Sequence, residues 1–383
     1  MDFEVRRREL GITRFVDPPP FALGHGQVVL RVDSFGLTTN NITYGVAGEM
    51  LKYWDFFPPQ PGDGWGRIPA FGFAEVVASR HQSVAEGTRV FGYLPMSNFL
   101  TVDPGRVDGR GFFDGAHHRQ AMASAYNHYL NVRSDVSYDP SREPHQMLLR
   151  PLFFTSFLID DFLADGSLLD AGTVVISSAS SKTAIGTAFQ LARRDGIEVI
   201  GLTSATNVGF TESLGVYHHV LPYEHASQAP GDAAVYVDIA GNAAVRNVVH
   251  RRYGANLTHS MIVGNTHVGG TGPVSTGLAG TGLAGTGLAG TDLAGTGLAG
   301  PAPQLFFAPA QVAKRAKEWG QPEFDRRVGE SWQGFSAWTD SWLAIHHGRG
   351  PDAIVTVYQR LLAGEVDPQA GHVMSMWPPA RTA

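Results

Sequence analysis

The sequence predicts an α/β protein in two parts, a small β-barrel and a doubly wound domain with a parallel sheet. Two stretches carry that prediction. Between residues 27 and 93, short alternating runs recur between turns at about ten-residue spacing, as in a small antiparallel barrel. From 173 to 215, in TVVISSASSKTAIGTAFQLARRDGIEVIGLTSATNVGFTESLG, a strand, a small-residue turn, a helix, a second strand and a second helix follow one another. A strand, crossover helix and strand in that order make the two strands parallel. The length of 383 residues suits two domains of ordinary size.

In the first part, Gln27 to Ser34 alternates Val28, Leu30 and Val32 against polar neighbours, the pattern of a half-buried strand. Further strands are expected near Ala70 to Ala78 and around Thr88 to Tyr93, after the turn at Glu86-Gly87. Residues 94 to 145 show weak periodicity and receive no element. A helix is expected from Leu148 to Leu163. Thr173 to Ser177 is a β-branched run too short for a buried helix. Thr183 to Arg194 places Ile185, Ala188, Phe189 and Leu191 on one helix face, and Gly196 closes it. Glu198 to Thr203 is the second strand, and Asn207 to Leu214 begins a helix that ends at Gly215.

Beyond that unit, MIVGN reads as a fifth parallel strand and LFFAP as another, with helices over Gln311 to Trp319 and Asp352 to Leu362. The aromatics of Glu323 to Ile345 read as core or subunit contact. Between Thr276 and Gly300 the pentapeptide TGLAG recurs five times, once as TDLAG. Its glycine content makes helix or strand costly, and it is expected to be a flexible surface insertion.

Composition narrows the class. Hydrophobic content of 43%, charged content of 17% and a net charge of −6 describe a soluble globular protein. No basic block favours nucleic acid, and no apolar run approaches the ~18 residues of a membrane span. MDFEVRRREL lacks a signal-peptide core, so a cytoplasmic address is expected. The absence of cysteine removes disulfides, thiol nucleophiles and Cys-ligated zinc. The pairs His117-His118, His218-His219 and His346-His347 are adjacent residues that do not face one site, so no metal is expected.

The turn after Ser177 has the chemistry of an anion site. Backbone N–H groups at a helix N-terminus point at a phosphate, and the helix dipole favours its charge. The G-x-G-x-x-G fingerprint is absent; Ala179-Ser180-Ser181-Lys182-Thr183-Ala184-Ile185-Gly186 stands in its place. Serine is small enough for close approach, and its hydroxyl can itself bond a phosphate. Ser178, Ser180, Ser181, Lys182 and Thr183 are the candidates. A P-loop is excluded, because its glycines would fall on Ile176 and Ser181. A turn of this kind that binds nothing stays open.

Several segments together carry a resemblance. GHGQVVLRVDSFGLTTNNITYGVAG, FGFAEVVAS, EGTRVFGY, LLRPLFFTSFLIDDFL, AGTVVISSAS, GTAFQLA and AAVYVDIAGN resemble, in order, the medium-chain dehydrogenase/reductase superfamily. The resemblance is best to its zinc-independent, quinone-oxidoreductase-like branch, in a subgroup known mainly as a domain of unknown function. It implies a GroES-like β-barrel domain over 1–147 and 326–383 and a Rossmann domain over 148–325, with Gly371 to Trp377 as a closing strand returning to the barrel. It also implies a small-molecule substrate and a homodimer.

Within that frame, a carboxylate at the end of the second Rossmann strand would bind a ribose 2′-OH. Here Thr203 and Ser204 end the strand and Asn207 follows, so NADP(H) is favoured over NAD(H). The resemblance places Tyr223 near the adenosine. Gly264 and Asn265, with Thr266 and His267, follow the fifth strand near the nicotinamide. Tyr44, with Asn40, Asn41 and Thr43, falls on the substrate-site loop, where a hydroxyl can polarise an oxyanion; Tyr44 and Asn41 are the catalytic candidates. Lys52, Tyr53 and Trp54 could line the same cleft. The expected function is a metal-independent, NADP(H)-dependent oxidoreductase that reduces an activated C=C or C=O of a small apolar substrate. Two alternatives stay open, a catalytically inactive nucleotide-binding sensor or scaffold and an acyl-thioester enoyl reductase.

Overall fold

The structure is a computed structural model, and it describes residues 1–18, 23–59, 64–120, 122, 126–239, 241–263 and 297–378. The chain forms two compact units, Met1–Leu148 with Leu343–Ala383, and Leu149–Trp342. Gly264, Asn265, Thr266, His267 and most of the TGLAG repeat lie outside the described residues.

The first unit begins with strands β1 (Asp2–Arg6), β2 (Glu9–Val16) and β3 (Val28–Leu37), then helix α1 (Thr39–Val46). There follow β4 (Trp65–Gly66), β5 (Pro69–Ser79), β6 (Arg89–Pro95), β7 (Phe99–Val102), β8 (Pro104–Asp108), β9 (Gly111–Asp114) and β10 (His128–Asn131). Helix α2 (Glu143–Asp165) begins here and continues into the second unit. β1 and β2 pair as a hairpin, with β4 on the other side of β1. The larger sheet is built on the antiparallel pair β3–β5, which runs from Val28↔Ser79 to Phe35↔Gly72 with register shifts after Val29 and after Val32. Val28, Leu30 and Val32 are fully buried, as their alternation predicts. Gly72 is required at its position, because a Cβ there would lie 2.4 Å from the Ser34 carbonyl oxygen.

The second unit contains β11 (Thr173–Ser177), α3 (Lys182–Leu191), β12 (Glu198–Thr203), α4 (Val208–Ser213), β13 (His219–Pro222) and β14 (Ala234–Asp238). It continues with α5 (Ala243–Tyr253), β15 (Leu257–Ile262), β16 (Gln304–Leu305), α6 (Ala308–Trp319) and α7 (Gln321–Trp338). All pairings in its sheet are parallel, in the order β13-β12-β11-β14-β15-β16. β11 and β14 are buried along their whole length, which is why they read as continuous apolar runs. The strand order reverses between β11 and β14, and doubly wound sheets bind ligands outside the carboxyl ends of strands at such a point.

The chain then returns to the first unit with β17 (Ala344–Arg349), α8 (Pro351–Leu362) and β18 (Ala370–Ser375). β18 lies between β17, to which it is parallel, and β3, to which it is antiparallel. The return comes at Leu343, later than residue 326. The physical reason is α7, whose aromatics pack on helices of the second unit. The Phe335 ring stacks on Phe153 at 4.6 Å, and Trp338 lies 5.1 Å from Phe189.

The strands β7 to β10 occupy the stretch that gave no periodicity. Their surroundings are polar as well as apolar. Arg119 is fully buried there, donating to Asn127 Oδ1 at 2.9 Å and to the Tyr126 carbonyl at 2.8 Å. Among the described residues, no helix is long and apolar enough to cross a membrane, and no three His, Asp or Glu side chains converge to hold a metal ion.

Candidate functional site

The turn that joins β11 to α3 is built without glycine. Ser178 has a φ of 53°, in the left-handed region where an L-residue is strained. Its N–H donates to the Tyr223 hydroxyl at 3.2 Å, and its own hydroxyl lies 3.4 Å from the same oxygen. The Ser181 N–H closes the turn on the Ser178 carbonyl at 2.7 Å. Ala179 donates to the Leu202 carbonyl at 3.0 Å and accepts from the Tyr217 hydroxyl at 2.8 Å. The neighbouring strand comes close enough that a Cβ on Gly201 would lie 2.8 Å from Ala179 Cβ. Ser181 caps α3, its hydroxyl accepting from the Ala184 N–H.

Ser180 has the most informative bonding. Its Oγ accepts from Thr203 Oγ1 at 3.2 Å and from Asn207 Nδ2 at 3.1 Å. A hydroxyl has two acceptor positions and one donor proton. Both acceptor positions are taken, so what Ser180 presents to a ligand is the proton. Beside it, Ser204 and Thr206 share a hydrogen bond of 3.0 Å at the exposed end of β12. No carboxylate stands on this strand end between Leu202 and Asn207.

The structure therefore brings Ser178, Ser180, Ser181, Thr203, Asn207 and Tyr223 into one bonded group at the carboxyl ends of β11, β12 and β13, with Ser204 beside them. Lys182 opens α3. Thr183 is placed differently: it is 2% exposed, and its carbonyl accepts from Ser156 at 2.8 Å and from Thr187 at 2.9 Å. That places it in the packing of the helix.

Sequence reasoning missed Asp238 and Tyr217. Asp238 is fully buried at the end of β14. Its Oδ1 accepts from the Ser177 hydroxyl at 3.0 Å and the Gly241 N–H at 2.9 Å, and its Oδ2 lies 3.4 Å from the Arg246 guanidinium. Burial raises the carboxyl pKa and Arg246 lowers it. Ser177 in turn accepts from the Ile239 N–H at 3.0 Å, so the ends of β11 and β14 are tied together at the switch point. The only sequence signal was an Asp closing an apolar strand just before a glycine, in VDIAGN.

In the first unit, Asn41 and Tyr44 lie on α1. The Asn41 side chain accepts from the Thr38 N–H at 2.7 Å and the Thr38 hydroxyl at 3.2 Å, and donates to the Pro69 carbonyl at 2.8 Å. It caps the helix and fixes it to β5. Tyr44 is 5% exposed and lies in a box of aromatic rings. Its centroid is 4.5 Å from that of Tyr53, and it meets Tyr93 edge-on at 5.7 Å. Burial raises the pKa of the Tyr44 phenol above its ordinary value. Tyr53 and Trp54 are buried in the same region, whereas Lys52 is exposed. Trp54 is fitted between two glycines: a Cβ on Gly48 or on Gly66 would come within 2.4 Å of its indole.

No curated protein matches the sequence. Solved structures do match the fold over nearly the whole chain. CurA from Vibrio vulnificus in complex with NADPH is 14% identical with a TM-score of 0.54, over 96% of this chain and 94% of that one. The YhdH oxidoreductase from Salmonella enterica in complex with NADP is 17% identical with a TM-score of 0.52, over 98% and 99%. YhdH from E. coli K-12 with bound NADPH is 15% identical with a TM-score of 0.52, over 98% and 100%. At these identities the likeness is one of fold, a GroES-like barrel unit and a Rossmann unit. Residues 35–367 match the family described as "Protein of unknown function (DUF2855)", and to that family the chain belongs.

Proposed function

We propose that this protein is an NADP(H)-dependent oxidoreductase that reduces an activated C=C or C=O of a small apolar substrate without a metal. The observation that carries the reading is the Ser180 hydroxyl, bonded so that only its proton remains to be given, at the switch point of a doubly wound sheet. A donor-only group there suits a phosphate oxygen, which can only accept. The NADPH and NADP carried by solved structures of the same fold support the same reading.

The residues present fit such a cofactor. The Ser178–Ser181 turn and the N-terminus of α3 would hold the pyrophosphate. Ser180, Ser204 and Asn207 would face the 2′-phosphate, and Tyr223 would brace the turn from behind. When bound, the dinucleotide supplies a hydride. The protein's part is to meet the negative charge that grows on the substrate oxygen. Tyr44 does this as a neutral donor, because its raised pKa keeps the phenol protonated at any physiological pH. Asn41 acts through α1, holding the helix that presents Tyr44.

Calorimetric titration with NADPH and, separately, NADH tests the reading. Tighter binding of NADPH is expected, followed by NADPH oxidation with enones, quinones or aldehydes. Binding of neither nucleotide would overturn the proposal. A nucleotide-binding protein without chemistry is the second reading, favoured by the complete engagement of Asn41 Oδ1 in capping α1. NADPH binding with no oxidation by any acceptor would select it.

A further inference from the structure

We propose that Asp238 is a positioning residue for the nucleotide turn: through the Ser177 hydroxyl it holds the start of the Ser178–Ser181 turn in the shape that receives a pyrophosphate. The inference rests on the nucleotide-binding reading given above. It differs from the role of Ser180 in acting on the part that NADPH and NADH share.

Ser178 is the strained point of the turn, with a φ of 53°. A residue other than glycine stays in that region only where its surroundings over-determine it. From the side of β12 and β13, the turn is held by the Leu202 carbonyl and by the hydroxyls of Tyr217 and Tyr223. On the side of β14, the backbone ladder with β11 ends at Ile176↔Val237, one residue short of the turn. Past that point the Ser177 hydroxyl continues the connection. It donates to Asp238 Oδ1 at 3.0 Å and accepts from the Ile239 N–H at 3.0 Å. Ser177 immediately precedes Ser178, so these two bonds set the direction in which the chain enters the strained residue.

Packing does not call for a carboxylate here. Asp238 is fully buried, and a buried charge is costly unless it is paired and hydrogen-bonded. The fold offsets that cost with the Arg246 guanidinium, 3.4 Å from Oδ2, and with the Gly241 N–H, which donates to Oδ1 at 2.9 Å. Gly241 has a φ of 66° and lies in the turn that leads from β14 into α5. One carboxylate oxygen therefore joins the turn after β11 to the turn after β14. Those two turns flank the point where the strand order reverses, which is where a doubly wound sheet opens its crevice. Asp238 fixes one wall of that crevice against the other, and it acts on the turn through Ser177.

The test uses Ser177→Ala, Asp238→Ala and Asp238→Asn in the full chain. The readouts are calorimetric affinities for NADPH and NADH, taken well below the melting temperature of each variant. Ser177→Ala and Asp238→Ala should each weaken both nucleotides by the same factor, about tenfold for a lost hydrogen bond. The ratio of NADPH to NADH affinity should stay that of the wild type, because the pyrophosphate is common to both. Asp238→Asn keeps an oxygen that accepts from Ser177 and Gly241, and should return both affinities to within about threefold of the wild type. That rescue separates positioning of the turn from a general loss of stability, which the melting temperature reports. Wild-type affinities in Ser177→Ala would overturn the inference, as would an Asn variant as weak as the Ala variant or a loss confined to one nucleotide. Should Asp238→Ala fail to fold, Ser177→Ala, which deletes a single oxygen, decides alone. Failure of the wild type to bind either nucleotide would instead overturn the functional reading, and this inference with it.

Discussion

At the scale of single residues, the site rests on small polar side chains that each perform one defined task. Ser180→Ala removes one donor to the ligand and the acceptor of Thr203 and Asn207, so NADPH should bind at least about tenfold more weakly, with NADH less affected; calorimetry on the two nucleotides decides. Replacing Ser180 and Ser181 together by Leu should abolish binding while the melting curve persists. Asn207→Asp places a carboxylate at the end of β12 and removes a donor to Ser180. The ratio of NADPH to NADH affinity should fall at least about tenfold, since a carboxylate there repels a 2′-phosphate and accepts from a 2′-hydroxyl. Asn41→Ala strips a helix cap and the bond to Pro69, and should cost about 1–3 kcal/mol, measured by chemical denaturation.

At the scale of elements, β10 carries a histidine whose charge state is set by its position. His128 stacks on Phe113 at 4.5 Å, and burial, assisted by Arg110 and Arg106 against Asp108, pushes its pKa down to about 4. The unfolded chain takes up this proton near pH 6.5 and the folded one does not until about 4. Stability is therefore fully present above 6.5 and is lost as pH falls through that window. His128→Phe should flatten the fall in melting temperature between pH 7 and 4; an unchanged slope would place the sensitivity elsewhere. The same strand shows where the sequence was readable. β11 and β12 fall on Thr173–Ser177 and Glu198–Thr203, the expected bounds, because a strand buried on both faces is a bare apolar run. β1 and β2 mix Glu4, Arg6 and Arg14 with apolar residues, and β7 to β10 alternate around buried polar groups such as Arg119, so no period survives. The serine turn was legible for the reason that β11 and β12 were, since everything needed lies within one contiguous stretch. Asp238 acts on Ser177 from 61 residues away, and Tyr93 reaches Tyr44 from β6; only folding reveals such neighbours.

At the scale of the whole molecule, the chain leaves its first unit at Leu148 and rejoins it at Leu343. β18 then enters between β17 and β3 as an interior strand. Removing residues from Ala370 onward should open the sheet of the first unit at β3. The expected outcome is rapid proteolysis of the N-terminal segment with Leu149–Trp342 surviving longer; equal resistance of both would refute it. This connectivity also bears on how the protein is made. On the ribosome, the strands up to β10 emerge first but lack a neighbour that is still to be translated. The intervening parallel-sheet unit has all its residues before that neighbour exists, and domains fold as units while the chain grows. The order of completion is then the reverse of the order of emergence: the later unit matures first, and the earlier one waits, with the edge of β3 exposed to chaperones or to other nascent chains, until β18 has left the exit tunnel.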